Sequence, residues 1–142
     1  MDKIRVVIAD DHAIMRAGIR KILSRSKEIR VIGEASNGAE AIQLVSELHP
    51  DILILDVEMP VMDGMEVAHR LHTIQAPVRI LVLSAYDDRQ YILEMLNMGA
   101  AGYLIKDEAF DGIVDAVQGI ASGTKGWISR KAAECLQRSQ DQ

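Results

Sequence analysis

A single cysteine, Cys135, gives this chain no partner for an internal disulfide and fits a reducing compartment such as the cytosol. No apolar stretch is long enough to span a bilayer. The opening Met1-Asp2-Lys3-Ile4-Arg5 leads into a short apolar run and two acids. It lacks the longer apolar region and small-residue cleavage site of a secretory signal. Basic residues are in deficit, 16 against 21 acidic ones, and the formal net charge of −5 argues against a face that grips nucleic-acid phosphates. There is no internal repeat, no low-complexity run and no glycine-rich phosphate loop. Prolines are few, and Pro50, Pro60 and Pro77 each stand where an element is expected to stop or a loop to begin.

What the chain does contain is a series of short apolar runs that end in polar residues. The central one is Asp51-Ile52-Leu53-Ile54-Leu55-Asp56. An unbroken apolar run of this length reads as a strand buried on both faces, as in a parallel sheet. Asp56 is therefore expected where that strand gives way to the loop of Pro60 and Asp63-Gly64. Val6-Val7-Ile8-Ala9 ends likewise at Asp10-Asp11, Arg79 to Ser84 ends at a hydroxyl, and Gly102 to Lys106 ends at an amine. Arg30 to Ala35 reads as a shorter strand nearer an edge.

Helical stripes alternate with these runs. Ile14, Gly18 and Ile22 fall four apart, as do Met15, Ile19 and Leu23, with Arg16, Arg20 and Lys21 on the other face and Asp11 placed to cap. Further stripes are Ala41, Ile42, Val45 and Leu48; Met65, Ala68 and Leu71; Ile92, Met95 and Leu96; and Ile113, Val114, Val117, Ile120 and Ala121. Five strand–helix alternations predict an α/β fold: a doubly wound, five-stranded parallel sheet with helices on both faces. Residues 1–123 are expected to form this domain. Residues 124–142 are expected to be linker: a turn, the apolar pair Trp127-Ile128, a short helix capped by Ser129 and running through Leu136, and a frayed end.

In open α/β sheets ligands bind beyond the carboxyl ends of the strands. Sheet order 2-1-3-4-5 brings Asp10, Asp11 and Asp56 to one edge, with Ser84 and Lys106 close by. Three crowded carboxylates repel, a hard divalent cation relieves the repulsion, and oxygen donors with several waters suit Mg²⁺. The inventory is one for phosphoryl transfer. Asp56 is a carboxylate nucleophile that needs no base, since it is ionised at neutral pH, and Mg²⁺, Lys106 and the Ser84 hydroxyl neutralise or bind phosphoryl oxygens. Taken singly, each residue has a plain reading: Asp10 or Asp11 as a helix cap, Ser84 as a loop hydroxyl, Lys106 as a surface charge. Their recurrence at successive strand ends is what favours a site.

Together, Asp10-Asp11, Asp56-Val57-Glu58-Met59-Pro60-Val61-Met62-Asp63-Gly64, Ser84-Ala85, Gly99-Ala100-Ala101-Gly102-Tyr103 and Lys106 resemble the receiver domain of bacterial two-component response regulators, the CheY-like (flavodoxin-like) fold. The resemblance runs from Ile4 to Ser122. It implies that Asp56 is the phosphoacceptor and that Asp11, Asp56 and the Glu58 backbone carbonyl bind Mg²⁺ directly, with Asp10 acting through water. It also implies that Ser84 and Lys106 contact the phosphoryl group and that Tyr103 is the aromatic that turns inward on activation. Glu58 and Tyr86 match positions that tune hydrolysis of the acyl phosphate, and the Tyr86 loop is expected to follow Ser84. Asp107 stands where many receivers have proline.

Ile8-Ala9-Asp10-Asp11-His12, Leu104-Ile105-Lys106-Asp107 and the Ala116–Ser129 stretch are similar to the NarL/FixJ group, whose receivers precede a LuxR-type helix-turn-helix. That resemblance implies a cytoplasmic switch phosphorylated by a sensor histidine kinase, with only self-directed phosphotransfer and autodephosphorylation. Phosphorylation is expected to drive homodimerisation, and DNA is contacted only through a C-terminal domain not found in these 142 residues. His12, His49, His69 and His72 read as structural or surface residues rather than phosphodonors. One alternative is a stand-alone receiver acting as a phosphorelay shuttle or scaffold. A haloacid-dehalogenase-type phosphatase would want a second Asp where Glu58 stands, and acids after the first strand would repel the pyrophosphate of a nucleotide or flavin.

Overall fold

A computed structural model describes residues 3–86 and 88–140 of the chain. Strands β1 (Ile4–Ala9), β2 (Ile29–Ala35), β3 (Ile52–Asp56), β4 (Arg79–Ser84), β5 (Gly102–Ile105) and β6 (Trp127–Ile128) alternate with helices. These are α1 (Ala13–Ser24), α2 (Gly38–Leu48), α3 (Gly64–Thr73), α4 (Arg89–Asn97), α5 (Ala109–Ala121) and α6 (Arg130–Gln140). All neighbouring strands pair in parallel, in the order β2-β1-β3-β4-β5-β6.

The period-two alternation of a strand explains why the inner runs are apolar throughout. In β3, Leu53 and Leu55 face one layer with Ala41 and Val45 of α2, Val67 and Leu71 of α3, Ile92 and Met95 of α4, and Ala132 and Cys135 of α6. Ile52 and Ile54 face the other layer with Ile19 and Leu23 of α1 and Ile113, Val117 and Ile120 of α5. Helix starts follow local chemistry: Asn37 caps α2 and Asp63 caps α3, each accepting an amide three residues on at 2.9 Å.

The five-strand expectation is corrected by β6. Trp127 N donates to Ala101 O at 2.9 Å and Ser129 N to Tyr103 O at 3.0 Å, so the apolar pair closes the outer edge of β5. Gly102 permits the approach, since a Cβ there would lie 2.8 Å from Trp127 O. Two residues are too few for alternation to announce a strand. The last helix also runs past Leu136 to Gln140, where fraying was expected, while Asp141 and Gln142, like Met1 and Asp2, lie outside the described residues.

Two readings of α1 are corrected as well. Ile14 is 89% exposed, because it sits in the first turn ahead of the packed stripe of Ile19 and Leu23. Asp11 does not cap the helix. His12 is the N-cap residue and makes no side-chain cap bond.

Candidate functional site

Register sets the site. Ala9 pairs with Leu55, Asp56 with Leu83 and Ser84 with Ile105, so β1, β3, β4 and β5 end level. Asp10 follows β1, Asp56 closes β3, Ser84 closes β4 and Lys106 opens the 3₁₀ turn Lys106–Glu108 after β5. The loop after β3 is folded back tightly. Gly64 N donates to Val57 O at 2.7 Å, and a Cβ on Gly64 would lie 2.3 Å from Asp56 O, so only glycine fits.

Asp10 and Asp56 are buried, at 0% and 2% exposure. Lys106 Nζ lies 3.2 Å from Asp56 Oδ1 and 3.5 Å from Asp10 Oδ2, bridging the two carboxylates. The Glu58 amide donates weakly to Asp56 Oδ1 at 3.4 Å. Burial first, then the Asp10 charge, pushes the Asp56 carboxyl up to about 6, and Lys106 opposes the shift. Asp10 Oδ2 and Asp56 Oδ2 have no hydrogen-bond partner among the described residues.

One oxygen each from Asp10, Asp11 and Asp56 and a ring nitrogen of His12 all lie within 4.8 Å of one another. Buried carboxylate oxygens left unpaired are costly, and a divalent cation is the group that satisfies several at once. This acidic cluster is therefore chemically suited to hold a metal.

Ser84, Tyr86 and Tyr103 stand beside it. Ser84 is buried, and its Oγ accepts the Tyr86 amide at 2.9 Å. Tyr103 is fully buried with its hydroxyl donating to Tyr86 O at 2.8 Å, and burial raises its phenol. Tyr86 stacks on Tyr91 with ring centroids 5.1 Å apart, and its hydroxyl donates to the Glu58 carboxylate. The Tyr91 phenol is pushed up to about 12 by burial and then by the acids Asp63 and Glu58. Tyr91, Asp11, His12, Glu58, Asp63 and Tyr86 help line an open cavity of about 500 Å³ beside the cluster.

All the residues singled out in the sequence thus converge at one edge of the sheet, with Tyr103 joined to the rest through Tyr86. Two neighbours were not singled out. Arg16 sends Nη1 to Asp10 O at 2.5 Å and Nε to Glu34 at 3.3 Å, so it fixes the loop under Asp10 rather than lying on a free face. His12 was read as structural or surface. Its ring is exposed, yet Nδ1 sits 3.1 Å from both Asp10 and Asp11. Adjacency to an acid pair was the only signal in the sequence.

Comparison with known proteins gives a consistent picture. The family described as response regulator receiver domain matches residues 6–118. A transcriptional regulatory protein NarL of Mycobacterium tuberculosis is 42% identical over 122 residues, covering 86% of this chain and 56% of that protein. DegU of Brevibacillus brevis is 37% identical, covering 86% of this chain and 52% of its own length. The chain therefore spans about half the length of these relatives. The solved receiver domain of Mycobacterium tuberculosis NarL superposes with a TM-score of 0.83 at 41% identity, covering 87% of this chain and 99% of that one.

Proposed function

The chain belongs to the response regulator receiver domain family, with NarL/LuxR-type relatives, and from that membership we propose that Asp56 accepts a phosphoryl group from a sensor histidine kinase. The observation that carries this reading is the buried Asp56 carboxylate, gripped by Lys106 at 3.2 Å on one oxygen and unpaired on the other.

In the proposed step an Asp56 oxygen attacks phosphorus. The new O–P bond forms as the P–N bond to the donor imidazole breaks, and the electron pair leaves with nitrogen, which takes up a proton. Asp11, Asp56 and the Glu58 carbonyl would hold Mg²⁺ directly and Asp10 through water; when bound, Mg²⁺ neutralises the phosphoryl oxygens. Lys106 follows the charge from carboxylate to phosphoryl. Ser84 turns its hydroxyl to the phosphoryl group and releases the Tyr86 amide. Tyr103, bonded to the Tyr86 carbonyl, is thereby tied to the state of Asp56. The modification biases two pre-existing arrangements of this loop.

Output in this reading is homodimerisation of a cytoplasmic switch, with self-directed phosphotransfer rather than turnover of an external substrate. In this reading residues 1–123 carry the phosphoacceptor site, β6 and α6 of residues 124–142 complete its sheet and one apolar layer, and DNA contact belongs to a LuxR-type domain outside these 142 residues. The described helices include none long and apolar enough to cross a membrane. The test is acetyl phosphate with Mg²⁺. Intact-mass analysis should show a phosphoryl adduct on the wild type that survives acid, and none on Asp56→Asn. An equal adduct on the variant would place the acceptor elsewhere.

A further inference from the structure

We propose that His12 supplies a nitrogen donor to the cation held by Asp10, Asp11 and Asp56, tilting that site toward a first-row transition ion such as Mn²⁺ over Mg²⁺. This rests on the receiver reading, since it concerns the cation of the same site.

Four observations carry it. His12 Nδ1 lies 3.1 Å from Asp10 Oδ1 and 3.1 Å from Asp11 Oδ1. The Asp10 contact is a hydrogen bond in the metal-free chain; neighbouring ligands around an octahedral ion with bonds of about 2.1 Å stand about 3.0 Å apart, so the separation from Asp11, a direct ligand in the receiver reading, suits adjacent coordination positions. The backbone holds the ring there: His12 is extended at φ −92° and ψ 103°, and its amide donates to Asp10 Oδ1 at 2.8 Å. The ring has no competing duty as a helix cap. Finally, Asp56 Oδ2 is buried with no hydrogen-bond partner among the described residues, and one ligand atom each of Asp10, Asp11, His12 and Asp56 lie within 4.8 Å of one another.

An all-oxygen set serves a hard ion that keeps its waters. An imidazole adds a softer donor, which Mg²⁺ uses poorly and later divalent ions use well. The ring is 62% exposed, so it can turn onto an ion or off it without repacking the core.

The measurement is Mn²⁺ and Mg²⁺ binding to the 142-residue chain at pH 8, with electron spin-echo spectroscopy of bound Mn²⁺. The wild type should bind Mn²⁺ more tightly and show ¹⁴N modulation from a coordinated imidazole. His12→Ala should lose that signal and weaken Mn²⁺ about tenfold, while Mg²⁺ changes less than about twofold. His12→Asn, which retains a good N-cap residue, replaces the alanine variant if that fails to fold. Absence of the nitrogen signal in the wild type, or equal loss of both ions in the variant, overturns the His12 assignment and leaves the receiver reading standing. A wild type that binds neither ion overturns both.

Discussion

Asp56 shows how a buried carboxyl at a candidate site can cost the fold stability. Its carboxyl is held near 6, above an ordinary value of 3.8, because burial and the Asp10 charge disfavour ionisation more than Lys106 favours it. The folded state therefore binds this proton more tightly than the unfolded chain does. The group's contribution falls as pH rises from about 4 to about 6, and the cost is fully present above that window, on the order of 3 kcal/mol at most. Asp56→Asn should remove it, since Lys106 keeps Asp10 at 3.5 Å. The variant's gain in urea midpoint over wild type should be small at pH 4 and grow to its full size by pH 7. Mg²⁺ should raise the wild-type midpoint at pH 7 and narrow the gap. A gap independent of pH would show that ionisation of Asp56 is not its source.

At the scale of elements, the C-terminal strand and helix are fastened to the turn that carries Lys106. Glu108 accepts the Lys131 amide at 3.2 and 3.3 Å, and Lys131 Nζ pairs with Asp107 at 3.2 Å. The buried Ser129 hydroxyl accepts both the Ile105 amide of β5 at 3.4 Å and the Ala132 amide of α6 at 3.3 Å. Ser129→Ala strips a helix cap and leaves the Ile105 amide buried without that partner. It should cost about 1–2 kcal/mol in urea unfolding. Lys131→Ala removes only an exposed ion pair from a side chain whose amide is unaffected, and should stay within about 0.5 kcal/mol. Equal costs for the two would mean that Ser129 is not the fastening.

For the whole molecule, the doubly wound sheet explains both stability and the place of the site. Each face has its own apolar layer, and the layer with α2, α3 and α4 is completed by Ala132 and Cys135 of α6, with Ile128 and Leu136 packed against it. Ending the chain at Gly123 would uncover these contacts and turn β5 into an open edge. It should lower stability by about 3–5 kcal/mol and promote association, read by urea titration and light scattering. Unchanged stability would show that residues 124–142 contribute nothing to this core. The site lies between β1 and β3, where strand order reverses direction, so ends of chain-distant strands meet there.

Sequence by itself determined the alternation of strand and helix, the burial of β1, β3 and β4 on both faces, and the residues at the strand ends. Those are consequences of periodicity and of turn chemistry, which act over a few neighbouring residues. Asp10, Asp56, Ser84 and Lys106 were legible because each breaks an apolar run. Tertiary structure alone decided that Trp127-Ile128 would be a strand, because a two-residue strand exists only against the open edge of β5. It alone turned Ile14 outward and set the Lys106 amine between Asp10 and Asp56. It also lifted the Asp56 carboxyl, since desolvation and the field of Asp10 depend on residues far apart in the chain but packed together.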